Sequence, residues 1–380
     1  DYAATTPVDE RVMQAMLPFF TETFGNPSSI HIFGQRAEAA VEQARETVAA
    51  VLNCRPDEII FTSCGSEADN LALRGVALAR RAQNGAHRIL TSHAEHPAVS
   101  KTAADLERHY GFQVEWLPVD RFGRVQPEVV EERLNEKVAL VSVMYANNEI
   151  GTLNPIAEIA TLCRARGIPF HTDAVQAAAY LPIDVQTLGV DLLSLGAHKF
   201  YGPKGVGALY VRKGTPLWPM LTGGGQEGGR RAGTSNVPYL VGFAEALRLT
   251  SLERHERSAH VRPLRDLLIA TVPEVVPEAR LTGHPTERLP NHASFVFRGV
   301  DGNFLLALLD EAGFACSSGS ACKTGNPEPS EVMTALGWPR EWGLGSLRVT
   351  LGRETAAEEV QAFLRALPPL VERARRLRPA

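Results

Sequence analysis

The sequence predicts an α/β fold, a large domain with a mainly parallel sheet flanked by helices, joined to a smaller α+β domain. Three observations carry this expectation. Short apolar runs alternate with segments of helical period between residues 59 and 195, and such alternation implies crossover connections and strands covered on both faces. The run containing Leu192, Leu193 and Leu195 is bounded by Gly196 and reads as a buried strand. Beyond the Gly-rich residues 223–233 the regular alternation stops, and a helical region at 237–260 leads into a second, more mixed series.

Taken in order, residues 7–20 place Val8, Val12, Met16 and Phe20 at helical spacing, and a Gly/Asn/Pro/Ser loop follows at 25–29. A second helix is expected at 35–53. Strands are then expected at 59–62, 88–91, 113–117, 138–144, 168–171, 190–195 and 206–211. Helices at 67–81, 98–109, 127–134 and 155–166 fall between the first five of them. After the helical region come a strand at 294–298, helices at 304–311 and 330–336, a strand at 347–351 and a last amphipathic helix ending near 377.

With 380 residues, 44% hydrophobic and 22% charged, the chain has the composition of an ordinary globular protein with room for one large core and a smaller one. A formal net charge of -4 and the absence of basic runs argue against nucleic acid or an anionic membrane as partner. No stretch reaches the roughly 20 apolar residues of a membrane span, and no signal peptide is recognisable, so a cytoplasmic location is expected. Five cysteines at irregular spacing suggest neither a disulfide framework nor a zinc site, and no metal is expected.

Chemistry-bearing residues gather just past the predicted strands. Lys199, in GAHKFYGPKG, follows the strand ending at Gly196; an amine at the rim of an apolar core loses its charge more easily and becomes available for Schiff-base chemistry. Ser63-Cys64-Gly65-Ser66-Glu67 joins a strand to a helix, where free N–H groups and small side chains suit a phosphate, although a plain N-cap by Ser66 is the simpler alternative. Asp173 ends the strand IPFH, with Gln176 one short turn later; a carboxylate there can hold a protonated pyridine nitrogen or simply cap a helix. His96 follows another strand and can stack on a flat ring or serve structure alone, while Asn147 and Asn148 fall on the same rim. These are the parts that a pyridoxal phosphate site needs.

The ordered set SCGSE, AEHPAV, NNEIG, HTDAVQ, GAHKFYGPKG, RRAGT, SSGSAC and GSLRVTLGR, with the opening DYAATTPVD and FGNPSS, resembles the cysteine desulfurases of the NifS/IscS type. These are class V, fold-type I pyridoxal-phosphate enzymes, and the resemblance runs from the first residues to about Arg353. It implies pyridoxal 5'-phosphate as cofactor, held covalently by Lys199, with Asp173 on the pyridine nitrogen, Gln176 on the phenolic oxygen and His96 stacked on the ring. Gly65, Ser66 and His198 would hold the phosphate, with Thr234 reaching across from the second subunit of a homodimer, and Asn147 and Arg348 would grip the substrate carboxylate. Relatives usually carry serine where Gly196 stands, so one phosphate hydrogen bond is expected to be missing.

Cys322, in SSGSACKTGNP, is the feature that points to desulfuration, and Lys323 beside it favours the thiolate. Residues 315–329, small and polar, are expected to be the most mobile internal segment. The implied reaction takes L-cysteine to L-alanine with a persulfide on Cys322, Lys199 and His96 moving protons. The sulfur would pass to an acceptor such as an iron-sulfur scaffold protein or a thiol carrier. The implied domains are 15–255 for the cofactor and 1–14 with 256–380 for the cysteine segment. A selenocysteine lyase, a class V aminotransferase and a non-catalytic cofactor-binding protein remain open alternatives.

Overall fold

The computed structural model describes residues 1–318 and 328–376. The larger sheet contains β1 (Ile59–Thr62), β2 (Arg88–Ser92), β3 (Gln113–Leu117), β4 (Val138–Ser142), β5 (Phe170–Asp173), β6 (Leu192–Gly196) and β7 (Gly207–Val211). Their spatial order is β1-β7-β6-β5-β4-β2-β3. Strands β3, β2, β4, β5 and β6 run parallel, and β7 is antiparallel to both neighbours. All residues of β1, β4, β5, β6 and β7 are buried because helices cover both faces.

Successive side chains leave a strand on opposite faces. Ile60, Leu140, Leu192 and Leu209 therefore meet the helices Gly65–Asn84 and Pro97–Tyr110, through Leu73, Val76, Val99 and Leu106 among others. Ile59, Phe61, Val141, Leu193 and Leu195 point the other way, into the core shared with the helices Ile32–Leu52, Ile156–Ala165 and Val237–Val275. Each large apolar side chain so enclosed contributes about 1.5–3 kcal/mol of transfer free energy. The parallel strands all deliver their carboxyl ends to one edge, as does β1, and ligands bind at such an edge in open sheets.

The smaller sheet is antiparallel, in the order β10-β9-β8, with β8 (Ala279–Leu281), β9 (His292–Phe297) and β10 (Ser346–Thr350). The helices Gly302–Glu311 and Ala357–Arg376 pack together beside it. The N-terminal residues join this part of the molecule: Tyr2 and Ala3 donate their backbone N–H groups to Thr350, at the carbonyl and the hydroxyl respectively.

Three elements differ from the sequence expectation. The helical segment expected at 7–20 is split into Glu10–Met16, capped by Asp9, and Pro18–Thr21, because Pro18 has no N–H to continue the first helix. The helix expected at 237–260 runs on to Val275, through Pro263 and Pro273. Burial of Val261, Leu268 and Val272 outweighs the penalty of about 3 kcal/mol that an interior proline imposes. Strand β8 has three residues, too few for a period to show.

Candidate active site

A cavity of about 280 Å³ opens at the carboxyl edge of the larger sheet. It reaches the start of the helix Gly65–Asn84, where the first N–H groups have no partner within the helix. The cap is Cys64 and not Ser66: its Sγ accepts from the Glu67 N–H at 3.4 Å, which leaves the Ser66 hydroxyl for the cavity. Gly65 is required by packing, since a Cβ there would lie 2.7 Å from Val175 Cγ2. On the far wall His198 pairs its Nδ1 with the Thr5 hydroxyl at 3.2 Å. Burial, with the charges of Lys199 and Lys204, pushes its pKa down to about 4, so the ring is neutral.

Lys199 comes from the single turn that follows β6. Its Nζ donates to the carbonyl oxygens of Ala3 at 2.6 Å and Ala4 at 2.7 Å. Burial and then the charge of Arg348 lower its pKa to about 8, against the opposing pull of Asp173. A substantial fraction of the amine is therefore neutral near physiological pH.

Asp173, at the end of β5, is 4% exposed, and its Oδ1 accepts from the Val175 N–H at 2.9 Å. Both readings of this residue coexist: one oxygen holds the following turn, and the residue also lines the cavity. Burial raises its pKa, while His96, the Val175 N–H and Lys199 oppose the rise. His96 caps the helix Pro97–Tyr110 through Nδ1, which accepts from the Ala98 N–H at 3.1 Å. The neutral ring therefore carries its proton on Nε2. Burial lowers its pKa, Asp173 opposes, and Lys199 lowers it further. Gln176 also lines the cavity, its Nε2 donating to the Ala3 carbonyl at 2.9 Å.

Of the two asparagines expected on the rim, only Asn148 lines the cavity. Asn147 is 1% exposed and its amide is spent on structure: Nδ2 donates to Ala94 O at 2.8 Å and Met144 Sδ at 3.4 Å, and Oδ1 accepts from the N–H groups of Glu149 and Ile150. It does not line the cavity. Asn148 does, and its buried Oδ1 accepts no hydrogen bond among the described residues. The sequence NN offered no signal to separate them, since which of two adjacent amides faces inward depends on the turn they make. Arg348, from β10, reaches the same cavity; its Nη1 donates to Asn148 O and its Nη2 to Asp1 Oδ1, both at 2.9 Å. Its buried Nε has no partner among the described residues.

Thr234 lies elsewhere, in a separate hollow with Thr62, Ser63 and Arg231, and does not meet the cavity of its own chain. Arg231, from the same RRAGT segment, holds Glu67 at 2.8 Å, and Glu67 in turn accepts from Ser63. Cys322 and Lys323 lie outside the described residues. Asp69 lines the cavity from the helix Gly65–Asn84 and was not singled out in the sequence. An acid four residues after the glycine of the cup points back to the cup by helical spacing, and that was its only signal.

Residues 1–363 match the model of the aminotransferase class-V family. The cysteine desulfurase IscS of Methanosarcina thermophila is 47% identical over 379 residues, spanning 100% of this chain and 93% of the relative. The cysteine desulfurase NifS of Azotobacter vinelandii is 46% identical over 381 residues, covering 100% of this chain and 94% of the relative. A solved structure of a NifS-like protein superposes with a TM-score of 0.91 at 37% identity, covering 98% of both chains. With the lysine, the acid, the anion-binding helix start and the arginine on one cavity, and with similarity over its whole length, the chain belongs to the class-V aminotransferase family, whose members depend on pyridoxal phosphate.

Proposed function

We propose that the protein is a cysteine desulfurase, which converts L-cysteine to L-alanine and leaves the sulfur as a persulfide on Cys322. The observation that carries this reading is the convergence of Lys199, Asp173, His96 and Arg348 on one cavity. Its support from relatives is the name cysteine desulfurase borne by proteins 46–47% identical to the chain. The cavity suits pyridoxal phosphate on its own chemistry: unsatisfied helix N–H groups stand beside a glycine, and an acid and a readily neutralised amine share the same walls. When bound, that cofactor supplies a sink for the electrons released as bonds to the amino acid break.

The protein's own residues then divide the work. Gly65 and Ser66 present N–H groups, and with His198 they would hold the phosphate; Asp173 would hold the ring nitrogen and Gln176 the phenolic oxygen. Lys199 offers an amine that is both nucleophile and base at neutral pH, because burial and Arg348 have lowered its pKa to about 8. His96 carries its proton on Nε2 inside the cavity and can pass it on there. Arg348 meets the substrate carboxylate, and Asn148 takes the place expected of Asn147 beside it. The thiolate of Cys322 forms a bond to the substrate sulfur as the Cβ–S bond breaks, and the electron pair left on carbon takes up a proton to complete alanine.

We assign the cofactor to residues 15–255 and the cysteine segment to 1–14 with 256–380, in a cytoplasmic homodimer in which Thr234 completes the neighbour's phosphate site. An iron-sulfur scaffold protein or a thiol carrier would accept the sulfur. No helix among the described residues is long and apolar enough to cross a membrane. The test is a turnover assay with L-cysteine and a reductant. Sulfide and alanine in equal amounts are expected, with Cys322→Ala losing sulfide release but keeping cofactor colour; a keto acid as the main product would overturn the reading.

A further inference from the structure

One buried acid on the cavity wall, Asp69, has no part in the reaction above. Asp69 is 1% exposed and lines the cavity. One of its carboxylate oxygens, one ring nitrogen of His96 and one carboxylate oxygen of Asp173 all lie within 4.8 Å of one another. Its Oδ1 accepts no hydrogen bond among the described residues, and the nearby Ser194 hydroxyl favours its ionised form.

The groups facing Asp69 are acids or neutral. Asp173 on β5 and Glu95 before the helix Pro97–Tyr110 face it, and a charge on either favours its protonated form. His171 Nε2 stands 3.6 Å from Oδ1, but that nitrogen is paired with Ser194 Oγ at 2.9 Å, and Nδ1 is paired with Ser142 Oγ at 2.8 Å. Burial pushes the His171 pKa down to about 3, so no cation arises there. Lys199 acts on Asp173 and His96 instead. A carboxylate without a counter-charge, removed from water and set beside a second carboxylate, takes up a proton.

We propose that Asp69 is a positioning residue that stays uncharged in the working enzyme, so that the negative charge this pocket floor can hold resides on Asp173. The proposal rests on the pyridoxal phosphate reading, in which Asp173 must be ionised to hold a protonated ring nitrogen. Asp69 thus acts through Asp173, and the hydrogen-bonded line Ser142, His171 and Ser194 across β4, β5 and β6 is the floor beside it. Burial raises the pKa of Asp69 well above that of an ordinary carboxyl, with Asp173 adding to the rise, in accord with this assignment.

Infrared difference spectra of the loaded enzyme near neutral pH, wild type minus Asp69→Asn, test it. A protonated-carboxyl band present in the wild type and lost in the variant is expected. Ser194→Ala removes a hydroxyl that acts on Asp69, and it should shift that band, which identifies it independently should Asp69→Asn fold poorly. In parallel, Asp173→Asn should weaken cofactor binding by roughly tenfold to a hundredfold, as loss of a charged hydrogen bond does, and Asp69→Asn by only a few-fold. A wild-type spectrum with no protonated-carboxyl band assignable to Asp69, or equal loss of affinity in the two variants, would overturn the proposal. The same spectra can be read on the cofactor-free chain. A chain that binds no pyridoxal phosphate would therefore defeat the cofactor reading while the band still decides the state of Asp69.

Discussion

Lys199 shows how much of a residue's chemistry is lent by its surroundings. Its sequence neighbours are His198 and Phe200, yet what lowers its pKa to about 8 is burial and the charge of Arg348, which is far away in the chain. The neutral amine is the reactive form, so capture of pyridoxal phosphate by the cofactor-free chain should rise with pH around a midpoint of about 8. Arg348→Met removes a positive neighbour and should move that midpoint upward, measured by the growth of cofactor absorbance in a stopped-flow titration. An unchanged midpoint would show that Arg348 does not act on the lysine. Lys199→Ala should abolish turnover altogether, since the site then has neither covalent anchor nor base. The lysine, the acid and the histidine were legible because each lies just past a predicted strand. Asn148 was not, because its role depends on which way one turn presents its side chains.

At the scale of elements, two glycines make opposite predictions although both border the start of the helix Gly65–Asn84. A Cβ at Gly65 would press on Val175 Cγ2 at 2.7 Å, and valine cannot swing aside. Gly65→Ala should cost roughly 1–3 kcal/mol of stability in denaturant titrations, with much of the loss restored by a second change, Val175→Ala. Full additivity of the two changes would count against the contact. Gly196 has extended backbone, φ -139 and ψ 119, and a Cβ there would meet Gly65 N at 3.5 Å, an ordinary contact. Gly196→Ser should therefore fold normally and add a hydroxyl beside that helix start, slowing cofactor loss on dialysis by roughly tenfold to a hundredfold, the worth of one hydrogen bond to a charged group. Faster loss would mean that the hydroxyl turns elsewhere. Strands β1, β2 and β4 to β7 were readable from their apolar runs. The long helix through Pro263 was not, because its continuation depends on distant contacts that outweigh a local penalty.

The whole molecule buries titratable groups of both kinds, and their signs set a pH window for stability. Burial raises Glu95 from 4.5 to about 8 and Glu149 from 4.5 to about 7, so the stability that goes with their neutral forms is present below 4.5 and lost as pH rises through 7 to 8. Burial lowers His171 from 6.5 to about 3 and His198 from 6.5 to about 4, so their contribution is present above 6.5 and lost as pH falls through 4 to 3. Between 4.5 and 6.5 the two trends oppose each other, and the cofactor-free chain should melt highest there. The melting temperature should fall on either side, above 6.5 from the glutamates and below 4.5 from the histidines. A melting temperature that climbs steadily to pH 8 would contradict this balance.

The sequence by itself determined the order of the elements, the class of the fold and most of the polar residues that line the cavity. Period and apolar runs are local properties, and in a parallel sheet every strand end is also a position on the binding edge. Only the tertiary structure decided which residues meet across long stretches of chain: Asp1 with Arg348, Ala3 with Lys199, and Asp69 with Asp173. These are matters of charge and desolvation, and both depend on what stands nearby in space.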